Sequence, residues 1–450
     1  MKSKSKRSRP ILRKVEARVG VPLADLLGKM ELKTSKLVGP KTVHLPKSGI
    51  DMHYYEREAK IPNPHGFWDC YDIPTLIFFH GIGSHGREFC SFLSKIKIPP
   101  TVRILVPEMI GHGEDLKRVQ YMGLEFFQQP DGVTLLNAAS EFLDVLEVDS
   151  NCNALGTSLG GALLYFLKKK RPDKIQKTVL VAPALPHFLE QSFLDGLING
   201  KHRFLDFQSR EDVKRLFRDI LWTNPERRRK NGWKLGTKKN PFPPCAYEVI
   251  YRLALRDVPE GHFRALQDKL IAQHGRHMMD HSESATDDET DDETETHKSV
   301  MNSNGALRSI LRTAKHDESA KHFENSNEET RLFQTTTDVD RKSPRLVLWP
   351  EEDQIINLEK GKAFFGPAIK ARTTTFRTIP ECGHVFDAKG TNIYDLIRPI
   401  VTDYLLDLRE PKCFHCWDGM FPPKYFYRGT TKTSVSGNFV EVRHGVLQRP

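Results

Sequence analysis

One run constrains this chain more than any other: Asn153-Ala154-Leu155-Gly156-Thr157-Ser158-Leu159-Gly160-Gly161. An apolar approach ends in G-x-S-x-G and passes directly into a helix-forming stretch, which predicts a strand, a tight turn and a helix with Ser158 at the apex. A serine hydroxyl attacks an acyl carbon well when such a turn holds it beside a base, with backbone N–H groups at a helix start facing the developing oxyanion. Gly156 and Gly160 flank the serine where side chains would collide as strand and helix cross, and Gly161 lets the helix pack closely on the sheet. Any glycine-rich turn can produce this pattern, so its surroundings decide its meaning.

Upstream, Thr75-Leu76-Ile77-Phe78-Phe79 reads as a buried strand ending at His80-Gly81-Ile82-Gly83. In enzymes with this elbow the second oxyanion N–H comes from the loop after the third strand, so the backbone N–H groups of Ile82 and Leu159 are the expected donors. Downstream, Arg345-Leu346-Val347-Leu348-Trp349 reads as another buried strand, delivering Pro350-Glu351-Glu352-Asp353 to the same sheet edge. Asp353 is the candidate acid, expected to accept the imidazole Nδ1–H. Its neighbours Glu351 and Glu352 compete for that role and otherwise read as solvated loop charges. One strand and loop later, Thr378-Ile379-Pro380-Glu381-Cys382-Gly383-His384 offers His384 as the base, with Gly383 allowing the loop to fold over the serine. The order Ser158, Asp353, His384 differs from the chymotrypsin and subtilisin orders.

These residues resemble the α/β-hydrolase fold superfamily, in its single-cap, lipase and esterase-like branch. His80-Gly81-Ile82-Gly83-Ser84-His85-Gly86-Arg87-Glu88-Phe89 is similar to the oxyanion loop of monoacylglycerol lipases. Gly156 to Gly161 resembles the elbow of membrane-associated monoacylglycerol lipases, and Trp349 to Ile356 the acid loop of hydrolases that cleave carbon–carbon bonds in ring-cleavage products. The resemblance covers roughly residues 41 to 185 and 344 to 408. It departs at Glu108, where many relatives carry Asp before a Gly-His-Gly turn, and at Pro350, where they carry Gly. It implies an α/β fold: a mostly parallel central sheet with helices on both faces and a helical cap insertion. It implies no cofactor and no metal.

At 450 residues the chain exceeds the size at which one hydrophobic core stops growing, so one large domain with additions is expected. Residues 1–40 form a basic arm: Met1 to Lys14 holds seven Lys and Arg residues and no acid. Ile11, Val15, Val19, Leu23 and Leu27 recur every four residues beside Arg13, Lys14, Arg18 and Lys29, giving a helical stripe that Gly20 and Pro22 weaken. A packing helix, a membrane-surface anchor and a transit peptide are the readings open for it. No apolar core follows the opening charges and no run of about 18 apolar residues occurs, so neither a secretory signal nor a membrane span is expected.

Residues 41–185 read as the first half of the core. A hairpin pattern runs through Thr42–Leu45 and Ile50–Tyr55, and strands and helices then alternate, which argues a parallel sheet covered on both faces. In residues 186–275 helical, amphipathic patterns replace the strand rhythm, and the resemblance places the cap there. Phe188, Phe193, Phe204, Phe207, Leu221 and Trp222 are candidate pocket walls, with ordinary packing as the alternative for each. Phe188 and Trp222, with His80, Gly81 and Thr157 around the serine, are the expected substrate contacts. Arg227-Arg228-Arg229-Lys230 with Trp233, Lys234, Lys238 and Lys239 reads as a solvated loop or an anionic-lipid patch; nucleic acid is not expected, because no recognition fold accompanies it.

Residues 276–343 read as an acidic disordered insertion, with Thr286, Thr290 and Thr294 set among acids as candidate phosphorylation sites. Residues 344–408 complete the core, ending in a helix over Ile393 to Leu406, and residues 409–450 form a tail. In the tail, Cys413-Phe414-His415-Cys416 lacks the second ligand pair of a zinc site. Free thiols, a redox pair and a metal site stay open there, and seven cysteines without a regular framework suit a reducing, cytoplasmic compartment. Cys382 reads as a loop thiol.

The expected activity is hydrolysis of a carboxylic ester, lipid-like and similar to a monoacylglycerol, through an acyl-enzyme on Ser158. The expected partners are that small acyl substrate and a membrane surface met by the basic arm or cap. A carbon–carbon bond hydrolase or acyltransferase using the same triad, a non-catalytic protein of this fold, and an adaptor binding membrane or nucleic acid through its basic patches are the alternatives.

Overall fold

The computed structural model describes residues 26–60, 75–116, 132–148, 150, 152–199, 201–203, 206–222, 244–257, 344–387, 391–406, 434–435 and 438–439. The N-terminal stretch to Lys14, Phe204, the basic run at 227–239, the acidic insertion and Cys413–Cys416 lie outside them.

Eight strands form the main sheet: β1 (Val38–Leu45), β2 (Ile50–Arg57), β3 (Thr75–Phe79), β4 (Arg103–Pro107), β5 (Cys152–Thr157), β6 (Ile175–Val181), β7 (Arg345–Pro350) and β8 (Thr374–Ile379). Their order is β1-β2-β4-β3-β5-β6-β7-β8. The β1–β2 hairpin is antiparallel, β2 meets β4 antiparallel, and from β4 to β8 all neighbours are parallel. Parallel strands need helical crossovers, which cover both faces of the sheet. The period-2 split is visible within single strands. Ile77, Phe79, Ala154, Leu180, Val347 and Trp349 face one core with the helices Gly132–Val145, Leu159–Lys170 and Leu358–Lys370. Leu76, Phe78, Leu155, Val179, Leu346 and Leu348 face the other, with the helices Glu88–Lys95 and Ile393–Leu405.

The helices start where the sequence offers caps. The Asn357 side chain accepts from Lys360 N at 2.8 Å and that of Asn392 from Tyr394 N at 2.9 Å. Between β6 and β7 the described residues hold helices Gln191–Ile198, Arg210–Arg215 and Pro244–Asp257, with a π-helical turn at Leu216–Ile220. A second compact unit comprises Gly66–Tyr71 and Leu408–Pro450; its described residues are a two-stranded antiparallel pair, Ser434–Val435 with Asn438–Phe439. Among the described residues, no helix is long and apolar enough to cross a membrane.

Backbone packs tightly against backbone where β5 crosses the helix that follows it. A Cβ on Gly156 would lie 2.2 Å from Gly160 O, and one on Gly160 would lie 2.4 Å from Phe79 O and 2.5 Å from His80 O. These are backbone atoms, which cannot swing aside. Gly160→Ala is expected to lower stability by on the order of 3 kcal/mol through overpacking. Gly366→Ala, whose Cβ would meet nothing within 4 Å, should be close to neutral on that ground. Melting temperatures of the two variants against wild type check the contrast.

Candidate active site

The parallel strands β3, β5, β6, β7 and β8 all end at one edge of the sheet, so the loops leaving them share that edge. Ser158 follows β5 with φ 54° and ψ −118°, a positive φ that side-chain-bearing residues seldom adopt. Backbone bonds hold it there. Ser158 N–H donates to Val181 O at 2.9 Å, and its carbonyl accepts from Ala162 N at 3.0 Å and Ala184 N at 2.9 Å. Ala182 and Glu381, at the same edge, carry positive φ as well.

Asp353 leaves β7 and His384 leaves β8. Asp353 Oδ1 accepts the backbone N–H groups of Ile355 at 2.9 Å and Ile356 at 3.0 Å, which leaves Oδ2 for His384 Nδ1 at 2.7 Å. The Asp353 side chain is 0% exposed and that of His384 7%, so the pair is shielded from water. A carboxylate can only accept; the imidazole therefore carries its proton on Nδ1 and presents a basic Nε2. No hydrogen bond joins Ser158 to His384 among the described residues. In unliganded hydrolases this bond commonly tightens only when substrate arrives. Glu351 lies apart, exposed, accepting from the Thr378 hydroxyl at 2.8 Å.

The turn after β3 lies over the serine: a Cβ on Gly81 would sit 3.5 Å from Ser158 Cβ. The N–H groups of Ile82 and Leu159 have no acceptor among the described residues. Two free donors beside a strained serine can hold a tetrahedral oxyanion. Among the described residues, no group of three or more His, Cys, Asp and Glu side chains is placed to hold a metal ion.

Four of the expected substrate contacts, His80, Thr157, Phe188 and Trp222, are buried. His80 is fully buried, with Nδ1–H donating to Gly81 O at 2.8 Å and Nε2 accepting from Met109 N at 3.0 Å, so neither ring nitrogen is free for a ligand. Thr157 is buried, with Oγ1 3.0 Å from the Tyr394 hydroxyl. Phe188 is packed among Trp349, Phe364 and Phe365. The Trp222 indole N–H donates to Asp387 O. An aromatic residue in a cap reads alike from sequence whether it lines a pocket or a core.

The insertion between β6 and β7 is tied to the loops bearing Asp353 and His384 by main-chain bonds. Glu190 N–H donates to Ile355 O at 2.8 Å and Asn357 N–H to Phe188 O at 2.7 Å, on the acid loop. On the histidine loop, Leu221 O accepts from Val385 N at 3.0 Å and Phe386 N at 3.3 Å. Two polar groups that sequence reading passed over also belong to the site, Glu88 and Tyr394, which meet at 2.7 Å across 306 residues of chain.

A family model described as alpha/beta hydrolase family matches residues 76–388. No curated protein matches the sequence. Among solved structures, a candidate lipase from Acinetobacter baumannii is 14% identical, with 85% of this chain and 95% of that one covered and a TM-score of 0.49. A serine hydrolase from Cycloclasticus zankles is 14% identical, covering 81% and 98%, with a TM-score of 0.45. An esterase from Exiguobacterium antarcticum is 12% identical, covering 82% and 99%, with a TM-score of 0.45.

Burial pulls the His80 imidazole down to about 4, the bond to Gly81 O opposing only in part, so the ring is neutral in the folded protein. The unfolded chain takes up that proton below about pH 6.5, so His80 favours folding above that pH and this contribution is lost as pH falls toward 4. His80→Phe, which orphans Met109 N–H and leaves Gly81 O with Ser84 N–H alone, is expected to destabilise by about 1–3 kcal/mol near neutrality. The gap between wild type and variant should narrow by up to about 3 kcal/mol between pH 6.5 and 4, measured by urea unfolding at each pH.

Proposed function

The chain belongs to the alpha/beta hydrolase family, and within it we propose a serine hydrolase that cleaves a lipid-like carboxylic ester through Ser158, His384 and Asp353. The observation that carries this reading is the buried Asp353–His384 pair on the same sheet edge as a positive-φ serine flanked by two unused N–H groups.

His384 Nε2 takes the Ser158 proton as Oγ bonds to the acyl carbon, and the carbonyl electron pair moves to the oxygen held by Ile82 and Leu159 N–H. Asp353 Oδ2, held opposite Nδ1–H, stabilises the imidazolium and fixes the tautomer. As the tetrahedral centre collapses, the C–O bond to the alcohol breaks and His384 protonates the leaving oxygen. Water, deprotonated by His384, then attacks the acyl-enzyme; the acid leaves and Ser158 regains its proton. The expected preference for an apolar acyl group draws on the sequence resemblance and on the cap rooted beside the triad.

A peripheral lipid contact fits the first described helical stretch, residues 26–35. Leu26, Leu27 and Met30 are 54%, 50% and 55% exposed, while Leu32 on the same stretch packs inward. Exposed Lys29, Lys33 and Lys36 surround them along with Glu31, within the basic arm, a composition suited to anionic lipid.

Ser158→Ala and His384→Ala are each expected to abolish labelling by a fluorophosphonate probe and lower kcat on p-nitrophenyl esters roughly 10⁴- to 10⁶-fold. Asp353→Asn should lower kcat about 10⁴-fold with the fold retained. An unlabelled, folded wild type would overturn the reading. Co-sedimentation with vesicles containing phosphatidylserine, but not with neutral vesicles, is expected for wild type and should fall when Leu26, Leu27 and Met30 are replaced by Ser.

A further inference from the structure

Glu88 opens the helix after the oxyanion turn, and three groups converge on its carboxyl. Gly81 N–H donates to Oε1 at 3.4 Å, Ser84 Oγ–H donates to Oε2, and the Tyr394 hydroxyl lies 2.7 Å from Oε1. The Tyr394 oxygen is also 3.0 Å from Thr157 Oγ1. A phenol has one proton, so with Glu88 ionised Tyr394 donates to it and accepts from Thr157. Gly81 and Ser84 bracket Ile82, and Thr157 immediately precedes Ser158. A chain of hydrogen bonds therefore runs from the turn bearing one free N–H, through a carboxyl and a phenol, to the elbow bearing the other.

We propose that Glu88 is the positioning residue of the oxyanion hole, acting with Tyr394 to set the spacing between the Ile82 and Leu159 N–H groups. This rests on the serine-hydrolase reading above. Two donors help an oxyanion only if both stand within about 3 Å of it before it forms. The turn carrying Ile82 has glycine on either side, and Gly83 is exposed with φ 69°. No hydrogen bond joins this turn directly to Ser158 among the described residues. His80 fastens Gly81 O from below, while the Glu88 bridge ties the turn sideways to the elbow. Packing alone does not call for an acid here: burial raises Glu88 to about 7, with the Ser84, Tyr394 and Gly81 donors lowering it in part. Tyr394 is held by Phe89 and Phe92 ring contacts, with centroids 5.2 Å and 5.9 Å away, so the bridge ends on an anchored residue.

The test compares Glu88→Ala, Glu88→Gln and Tyr394→Phe with wild type in the full chain. The readouts are melting temperature, kcat and KM on a p-nitrophenyl ester, and the affinity of a trifluoromethyl ketone with the same acyl group, which adds to the serine and places its oxyanion in the hole. Glu88→Ala is expected to lower kcat roughly 10²-fold and weaken the ketone by the same factor, with KM changed less than about threefold. Tyr394→Phe should lose about tenfold in kcat and in ketone affinity. Glu88→Gln can accept from Gly81 and Tyr394 and donate to Ser84, and should stay within about threefold of wild type. A folded Glu88→Ala variant within about twofold of wild type in kcat and ketone affinity overturns the proposal. So does a loss confined to KM or to melting temperature. If Glu88→Ala does not fold, Tyr394→Phe decides by the same criteria. A wild type that neither turns over ester nor reacts with fluorophosphonate removes the serine-hydrolase reading and this inference together; a reactive wild type with unaffected variants removes this inference alone.

Discussion

At the crossing of β5 with its following helix there is no space for a single methyl group. Gly156 lies against the Gly160 carbonyl, and Gly160 against the carbonyls of Phe79 and His80. That contact brings the ends of β3 and β5 and the start of a helix to one point, so a serine hydroxyl and two N–H groups from distant sequence converge. Had either glycine a side chain, the helix would ride farther from the sheet and Leu159 N–H would draw away from the β3 exit.

Positive φ at Ser158, Ala182 and Glu381 is unfavourable by itself, of order 1–3 kcal/mol for each residue so held. It persists because the surrounding structure over-determines it. β5 is buried along its whole length, between two apolar cores that alternate residue by residue across the sheet. The Asp353 carboxylate shows the same economy of position, with two main-chain donors fixing one oxygen and orienting the other toward His384.

The parts legible in the sequence share one property: their signal is local. Apolar runs followed by Gly-rich turns placed β3 and β5, an apolar run leading into Glu351-Glu352-Asp353 placed β7, and the order of Ser158, Asp353 and His384 along the chain matched strands ending at one edge. The Asp353–His384 pairing spans 31 residues, yet each member announces itself by its own loop. Glu88 and Tyr394 do not. A Glu opening a helix reads as an N-terminal charge and a Tyr in an amphipathic helix as a core residue; only the packing of two helices on one face of the sheet makes them partners. His80 stands in a legible motif, but the bonds of its ring to Met109 N–H and Gly81 O are set by packing that no local pattern announces. Phe188 and Trp222 were equally ambiguous, because hydrophobicity marks what is hidden without saying from what.

The roots of the cap meet the acid and histidine loops through Glu190, Asn357, Val385 and Phe386 N–H groups and through carbonyl oxygens, all main-chain atoms. Such bonds are indifferent to which side chains the cap carries. The side chains of this insertion can therefore drift in sequence while the loops bearing Asp353 and His384 keep their footing. Variation in the insertion and the geometry of the Asp353–His384 pair are thus separable inheritances, divided at a seam of peptide groups.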